Sequence, residues 1–347
     1  MDPLAPGDPR QIGRYRLGGR LGAGGMGEVF WGLSPSGRAV AVKLVRHELG
    51  RDLEFRRRFA QEVEAAKRVS GFHTAPVVDA DPDAVPPWLV TAYVPGPSLS
   101  AVLRLHHALP ESSLRILAAG LAEALEAIHR AGVVHRDLKP ANILLAHDGP
   151  RVIDFGIARA LDATSPTQAS AVIGTPGFMA PEQVTGGAIT PAADVFAFGL
   201  VLCHAAGGLP YGAGHPAALL HRVVTQEPDV SALPPSLRDV AARCLHRDPD
   251  RRPSPHQILD LLGDSAPVRD WLPAPVGDLL SQHALPQLRA SPSPTLMAPP
   301  AVPDPQPGRG KVGTWIAVLG LLVAFFALIN PSVRDQLLAL INGLAGP

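Results

Sequence analysis

Four polar residues near the middle of the sequence have side chains that could bind a metal cation and a phosphate. Asp137, Lys139 and Asn142 lie close together, and Asp154 follows them. Carboxylate and amide oxygens suit a hard cation such as Mg²⁺ and its bound phosphates far better than they suit a thiolate-seeking metal. The stretch therefore predicts a site for a divalent cation and a phosphate.

Two short apolar runs connect the first three of these residues to the fourth. Ile143–Leu145 and Arg151–Ile153 read as strands, and Asp148-Gly149 between them is typical of a tight β-hairpin turn. We expect this rigid ribbon to hold the carboxylates and the amide at one of its ends.

The stretch His135–Asn142, together with Asp154-Phe155-Gly156, resembles the catalytic loop and the DFG segment of eukaryotic-type protein kinases. The resemblance implies that Asp137 accepts or directs the proton of a substrate hydroxyl. It also implies that Lys139 neutralises charge on the γ-phosphoryl group transferred from ATP. Asn142 and the DFG aspartate would hold Mg²⁺, with Mn²⁺ as an alternative. The Leu-Lys-Pro version of the loop is similar to that of serine/threonine kinases.

A glycine-rich segment upstream fits a flap that lies over phosphates. Strand-like residues flank it on both sides, whereas a dinucleotide-binding loop would lead directly into a helix. Glycine is required in such a flap because a Cβ would block the approach of the backbone to phosphate. By resemblance to the kinase glycine-rich loop, nine consecutive residues bind the nucleotide: Leu21, Gly22, Ala23, Gly24, Gly25, Met26, Gly27, Glu28 and Val29.

Lys43 ends an apolar, strand-like run, and a lysine in such a setting needs an anionic partner. The resemblance implies that Lys43 holds the α- and β-phosphates and that Ala41 lines the nucleotide site. A helix is predicted over Arg51–Val69. Glu62 and Glu64 point about 200° apart around it, so only one can face the lysine. Glu62 shares the inward, apolar side and matches the family's helix-C glutamate.

The run Trp88–Gly96 reads as a strand that ends in a breaker and resembles the last N-lobe strand and hinge of the family. On that resemblance Thr91 is the gatekeeper, and Tyr93 and Val94 belong to the adenine-binding hinge. Ala92 replaces a frequent acidic residue, which matters little because the hinge uses main-chain atoms.

The segment from the DFG motif to Ala180-Pro181-Glu182 resembles the family's activation segment. Arg136 precedes the catalytic aspartate and would attract a phosphate on this segment, so we expect autophosphorylation to order it. Thr167 is the first candidate. The four candidates are Thr164, Ser165, Thr167 and Ser170.

Four further residues match family positions with structural roles. Thr175 would brace the catalytic loop, and Asp194 would tie down the backbone of that loop. Arg252 would pair with Glu182 and fasten the C-lobe.

Composition indicates a globular body without a nucleic-acid partner. Hydrophobic residues make up 46% of the chain, and the formal net charge is +0. Cys203 and Cys244 lie in apolar sequence, which favours a reducing compartment over a disulfide framework. Residues 1–14 read as a polar N-terminal tail without the features of a signal peptide.

The C-terminal part changes character. Residues 263–311 are rich in proline, alanine and serine and predict a juxtamembrane linker. Residues 312–329 are uncharged and mostly apolar, and as a helix they would reach about 27 Å, which predicts a single transmembrane helix. Arg309 and Lys311 place the kinase side in the cytoplasm. Residues 330–347 would form a short extracytoplasmic tail.

The sequence thus predicts an α+β, two-lobed protein kinase fold over residues 15–262, with a β-rich N-lobe, a helical C-lobe and a C-terminal transmembrane helix. The resemblance implies a bacterial, eukaryotic-type (Hanks-type) serine/threonine kinase, and the apolar run at 312–329 predicts that it is anchored in the inner membrane. An ATP-binding scaffold would lack a catalytic residue, and a small-molecule kinase would not need an intact activation segment. Family analogy implies homodimers that phosphorylate each other; protein substrates stay open.

Overall fold

The computed structural model describes residues 1–155, 176–263 and 271–282. The strands in these residues are β1 (Gln11–Ile12), β2 (Tyr15–Ala23), β3 (Gly27–Leu33), β4 (Ala39–Val45), β5 (Val77–Asp81), β6 (Trp88–Ala92), β7 (Ile143–Ala146) and β8 (Gly149–Val152). The helices are α1 (His47–Gly50), α2 (Leu53–Lys67), α3 (Leu99–His106), α4 (Glu111–Arg130), α5 (Pro181–Thr185), α6 (Pro191–Ala205), α7 (Pro216–Thr225), α8 (Pro235–Cys244), α9 (Pro255–Leu262) and α10 (Ala274–Gln282).

The N-terminal lobe is an antiparallel sheet with strand order β1-β2-β3-β4-β6-β5 and one long helix, α2. Adjacent strand residues point to opposite faces, so the sheet feeds two separate apolar clusters. One cluster includes Phe30, Val42 and Val90. The other joins Val45 and Leu89 to α2. The same cluster contains Met26, so burial of α2 against the sheet also packs this helix against the glycine-rich segment.

Helix α2 begins after Asp52, whose carboxylate accepts hydrogen bonds from two amides of the first turn. Its apolar residues recur at helical spacing and are fully buried. These residues are Phe55, Phe59, Val63 and Ala66.

The C-terminal lobe is built around α6, which is apolar on all sides and correspondingly buried on all sides. It packs against α4 and α8. Asp194 is the one charged residue of this apolar helix, and its carboxylate lies inside the lobe with 1% of the residue exposed. A buried carboxylate needs hydrogen-bond donors, and these come from the active-site loop described below.

The hairpin β7–β8 forms with Ile143 opposite Val152 and Ala146 opposite Gly149. The two connecting residues are therefore His147 and Asp148, and the predicted Asp148-Gly149 turn is wrong by one position. Gly149 lies at the start of β8 with φ +123°, a conformation that favours glycine. A Cβ on it would also come within 2.8 Å of the His73 ring.

The predicted N-terminal tail over residues 1–14 needs correction, because parts of this segment pair with the sheet. β1 pairs with β2, and Ile12 is buried. The Asp2 amide donates to the Arg20 carbonyl at 3.0 Å, and the Arg20 amide donates back at 2.8 Å. The Asp8 carboxylate, itself buried, binds the Arg20 guanidinium through both oxygens. Contacts with Arg20 of β2 therefore order a polar segment whose composition is typical of a tail.

The linker predicted over residues 263–311 also needs correction. Residues 271–282 form α10 and the turn before it, and Trp271, Leu272 and Val276 are buried in the core of the C-terminal lobe. Burial of these apolar side chains orders the segment although proline, alanine and serine are frequent around it. The remainder of the predicted linker lies outside the described residues.

Across residues 1–155, 176–263 and 271–282, no helix has the length and apolar character needed to cross a bilayer. The predicted transmembrane run at 312–329 and the tail at 330–347 lie outside these residues.

The Asp8–Arg20 pair should make stability depend on pH. The hydrogen bond from Arg20 is the largest cause that lowers the pKa of Asp8 from 3.8 to about 2. Because the folded-state pKa lies below the unfolded one, the ionised carboxylate stabilises the fold above pH 3.8, and this contribution disappears as the pH falls through about 2. We expect the Asp8→Asn variant to be less stable than the wild type at pH 6, with the difference shrinking towards pH 2.

Urea unfolding of both proteins across this range measures the effect. Placing Asp8→Asn in an Arg20→Met background should flatten the pH dependence of the difference. A difference that stays the same down to pH 2 in the native background would contradict the assignment.

Candidate active site

The predicted catalytic loop is fastened to the core by Asp194. Its carboxylate accepts hydrogen bonds from the backbone amides of His135 and Arg136, each at 2.8 Å. Arg136 has a positive φ of +67°, which is unfavourable for a residue with a side chain. The charged, buried acceptor offsets this cost, because bonds to an ionised group in a dry setting are strong.

The loop holds the Asp137 carboxylate in a defined orientation. Lys139 Nζ lies 2.7 Å from Asp137 Oδ2, and Asn142 Nδ2 donates to the same oxygen at 3.2 Å and to the Asp137 carbonyl at 2.8 Å. Both side-chain contacts fall on Oδ2. The amide of Asn142 thereby uses its nitrogen on the loop, which turns its Oδ1 to a different side.

Asp154 and Lys43 meet across the two lobes. Lys43 Nζ lies 3.1 Å from Asp154 Oδ2, and both side chains are partly exposed. Asp154 has φ +59°, a second left-handed residue at the site. The ion pair joins the sheet of the N-terminal lobe to the end of the hairpin.

Backbone bonds fix Asp154 relative to the catalytic loop. The His135 ring donates from Nε2 to the Ile153 carbonyl at 3.1 Å, while its Nδ1 accepts from the Asp137 amide at 3.3 Å. The Ile153 amide donates to the Asn142 carbonyl at 3.0 Å. Since Ile153 directly precedes Asp154, these bonds bring the predicted base, the lysine and both predicted metal ligands together.

The glycine-rich segment is a hairpin between β2 and β3, closed by a 2.8 Å bond from the Gly24 amide to the Gly27 carbonyl. A Cβ on Gly27 would lie 1.9 Å from the Leu44 carbonyl oxygen, so packing alone requires this glycine. Gly22, Gly24 and Gly25 differ, because a Cβ on them would meet no protein atom within 4 Å. Open space above backbone is what a bound phosphate needs.

The other residues of this segment divide between backbone and side-chain roles. Met26 turns its side chain into the apolar cluster under α2, so it can serve a nucleotide through its backbone alone. Glu28 pairs with Arg20 at 2.9 Å. Leu21 is half-buried, Ala23 is exposed, and Val29 lies opposite Lys43 in the sheet.

The predicted hinge follows β6. Thr91 pairs with Ala41 across the sheet, and both are half-buried. The Ala92 amide already donates to the Pro76 carbonyl at 3.0 Å. Tyr93 and Val94 are half-buried, and burial raises the pKa of the Tyr93 hydroxyl.

Glu62 does not make the expected approach to Lys43: the described contacts of the lysine include an ion pair to Asp154 and none to Glu62. The glutamate instead lines a cavity of about 290 Å³ together with Arg58 and Arg136. Helical phase correctly turned Glu62 away from Glu64, which pairs with Lys67 on the surface. The cations around the cavity give Glu62 an alternative electrostatic environment.

Glu182 and Arg252 form the buried pair that the resemblance implied. Their side chains make two parallel bonds of 2.6 and 2.8 Å, and the Arg252 side chain is fully buried. The guanidinium also donates to three backbone carbonyls and lies 4.9 Å from the Phe196 ring. Removing one partner of such a pair typically costs about 3–5 kcal/mol, because a buried charge is left behind.

Several predicted residues lie outside the described part of the chain. These are Gly156, the phosphosite candidates Thr164, Ser165, Thr167 and Ser170, and the bracing residue Thr175.

Two contributors to the site were missed from the sequence. His129 lies with its Nε2 2.7 Å from Asp194 Oδ2, so it supports the carboxylate that holds the loop. Gln183 donates to the Arg136 carbonyl at 3.3 Å while its Oε1 accepts from the Ala180 amide. His129 lies one helical turn beyond Leu125 on the buried side of α4. A histidine at this position of the helical pattern was the feature of the sequence that could have predicted its role.

The donor set fits a hard divalent cation. Asp154 and Asn142 offer oxygen atoms, and neither cysteine lies among the residues of the site. Both thiols are buried elsewhere in the C-terminal lobe, and desolvation raises the pKa of Cys203 to about 12.

A sheet-rich lobe and a helical lobe joined at such a site define the protein kinase fold. The model of the protein kinase domain family matches residues 15–261, and the chain belongs to this family. Members of the family use ATP and a divalent metal.

Bacterial serine/threonine kinases are among its relatives. The probable serine/threonine-protein kinase PkwA of Thermomonospora curvata is 49% identical over 311 residues, which cover 89% of this chain and 41% of PkwA. The serine/threonine-protein kinase AfsK of Streptomyces coelicolor is 47% identical over 284 residues, covering 79% of this chain and 36% of AfsK. The chain thus spans about two fifths of the length of these curated relatives.

The crystal structure of the Mycobacterium tuberculosis PknI kinase domain superposes with a TM-score of 0.58 at 29% identity. The match covers 76% of this chain and 99% of the PknI domain. The likeness extends to the whole of that kinase domain.

Proposed function

We propose that this protein is a serine/threonine protein kinase that transfers the γ-phosphoryl group of ATP to protein hydroxyls. The observation that carries the proposal is the joined cluster of Asp137, Lys139, Asn142, Asp154 and Lys43, in which each family position holds a residue of the required chemistry. Similarity to relatives named as serine/threonine kinases supports the choice of substrate hydroxyl.

In this mechanism the side chains of the site orient the substrate hydroxyl and neutralise charge on the phosphoryl group. Asp137 accepts the proton of the substrate hydroxyl through Oδ1, since Oδ2 is held by Lys139 and Asn142. The hydroxyl oxygen bonds to the γ-phosphorus as the bond to the β–γ bridging oxygen breaks, and ADP leaves. Lys139 stabilises charge on the moving phosphoryl group. Mg²⁺ held by Asn142 and Asp154 would neutralise phosphate charge.

The nucleotide would lie between the lobes. Gly22, Gly24 and Gly25 provide open backbone for its phosphates. Because the Ala92 amide is already bonded to Pro76, adenine would use the Ala92 carbonyl and the Val94 main chain. Lys43 would exchange part of its contact with Asp154 for the α- and β-phosphates.

Activation would follow from the environment of Arg136 and Glu62. Both line one cavity in this structure. A phosphate added to the activation segment, with Thr167 as the first candidate, would bind Arg136 and favour the pairing of Glu62 with Lys43. We propose that homodimers perform this phosphorylation in trans.

The test is phosphoryl transfer by the full chain with γ-labelled ATP and Mg²⁺, beside the Asp137→Asn variant. We expect label on serine and threonine of the wild type and a rate at least about 100-fold lower in the variant, because a positioned base is lost. ATP affinity should change little. The rate per molecule should rise with protein concentration, and mass spectrometry should locate phosphate between residues 156 and 175.

If the chain binds ATP but no protein becomes labelled, the proposed kinase activity is wrong and the chain is an ATP-binding scaffold. Label on small molecules alone would assign the fold to a metabolite kinase. Asp239→Asn, on the exposed surface of α8, is the matched control and should retain full activity.

We further propose that residues 312–329 anchor the kinase in a bacterial inner membrane with its catalytic domain in the cytoplasm. The uncharged apolar run and the flanking Arg309 and Lys311 support this.

Membrane insertion can be tested with one charge in the centre of the run. Val323→Arg should move the full chain from the alkali-resistant membrane fraction to the supernatant, because arginine at the helix centre costs about 3 kcal/mol on insertion scales. Gln336→Arg, beyond the run, should stay in the membrane fraction. A wild-type chain that alkali extracts completely would refute the anchor.

A further inference from the structure

Residues 271–282, which we call the C-terminal brace, contact the β7–β8 hairpin at one end and the residues that follow the hinge at the other. At one end, the Trp271 indole donates to the Ala146 carbonyl at 3.0 Å, and Ser113 Oγ donates to the Trp271 carbonyl. Trp271 is 4% exposed. The brace is thereby attached to the closed end of the β7–β8 hairpin and to the start of α4.

At the other end, α10 reaches the residues that follow the hinge. A Cβ built on Gly96 would lie 2.1 Å from the Leu145 carbonyl oxygen and 3.4 Å from Leu280 Cδ2. The Gly96 backbone is thus enclosed between β7 and a side chain of the brace. Gly96 is two residues beyond Val94, the proposed adenine-binding position.

Between these ends the chain forms one connected unit. The Leu145 amide donates to the Pro97 carbonyl at 2.9 Å, and Ser98 bridges to Leu144. The segment after the hinge therefore runs beside β7, and β7 begins directly after Asn142. A displacement at Gly96 would pass through this pairing to the proposed metal ligand.

We infer that the C-terminal brace positions the nucleotide: Leu280 and Trp271 fix the hinge exit to the hairpin and so set the spacing between the adenine-binding backbone and Asn142. Leu280 and Trp271 act through these elements as positioning residues. The inference rests on the proposed kinase function, since it concerns the same nucleotide site.

The alternative is that the brace merely stabilises the C-terminal lobe. Val276 separates the two roles because it is fully buried in the core of that lobe. Truncating it removes buried packing one helical turn before Leu280, and no atom of Val276 is among the three nearest to a Cβ built on Gly96. We therefore expect its truncation to change stability without changing nucleotide affinity.

The experiment uses the full chain and measures binding of a fluorescent ATP analogue with Mg²⁺, together with kcat and KM. Leu280→Ala should weaken nucleotide binding by about fivefold and raise the KM for ATP in parallel, with kcat within about twofold of the wild type. Leu280→Met, which refills the space, should restore binding. Trp271→Phe, which removes the indole donor, should weaken binding in the same direction.

Val276→Ala should lower the unfolding temperature at least as much as Leu280→Ala and leave nucleotide affinity within about twofold. Unchanged affinity in Leu280→Ala would overturn the inference, as would affinity that falls with stability in both variants. Nucleotide binding needs no turnover. If the wild type binds the analogue and transfers no phosphoryl group, the proposed kinase activity fails while the role of the brace is still measured.

Discussion

The site depends above all on one buried carboxylate. Asp194 lies inside the C-terminal lobe, on a helix that is otherwise apolar, and its two oxygens hold the amides of His135 and Arg136. His129 approaches the same carboxylate from α4. These contacts keep Arg136 in a left-handed conformation, and that turn of the chain directs Asp137 and the residues after it towards the cleft. A loop with this conformation would otherwise relax, because residues with a Cβ disfavour positive φ.

The second constraint is the joining of elements that are far apart in sequence. Lys43 of the sheet forms an ion pair with Asp154, which follows the β7–β8 hairpin. Two other parts of the chain contact that hairpin. Trp271 bonds its closed end, while the segment after the hinge pairs along β7. We infer that the proposed nucleotide site depends on both lobes and on a C-terminal segment that follows the family-matched region. Glu62 lines a cavity with three arginines, and its movement towards Lys43 is the change that the proposed activation would require.

Much of this could be predicted from the sequence, because the catalytic residues occur in short motifs and the elements that hold them have strong local patterns. The hairpin, α2 and the glycine-rich segment follow from strand and helix periodicity. Local patterns could not predict which segments are ordered by contacts with residues far away in the sequence. The segment around Asp8 is ordered by Arg20, and Trp271 is ordered by Ala146, neither of which is visible in composition. Helical phase likewise selected the inward glutamate, Glu62, without fixing where the helix lies relative to Lys43.

The most direct test of this account is the catalytic rate of the Asp194→Asn variant, measured beside its nucleotide affinity and circular dichroism. An asparagine of the same size presents one acceptor and no charge to the two loop amides. We expect a folded protein whose nucleotide affinity stays within about threefold of the wild type and whose kcat falls by about 100-fold or more, because Asp137 is no longer aligned. A folded variant that retains kcat within about twofold would show that the loop holds its conformation without this carboxylate, and would contradict the account.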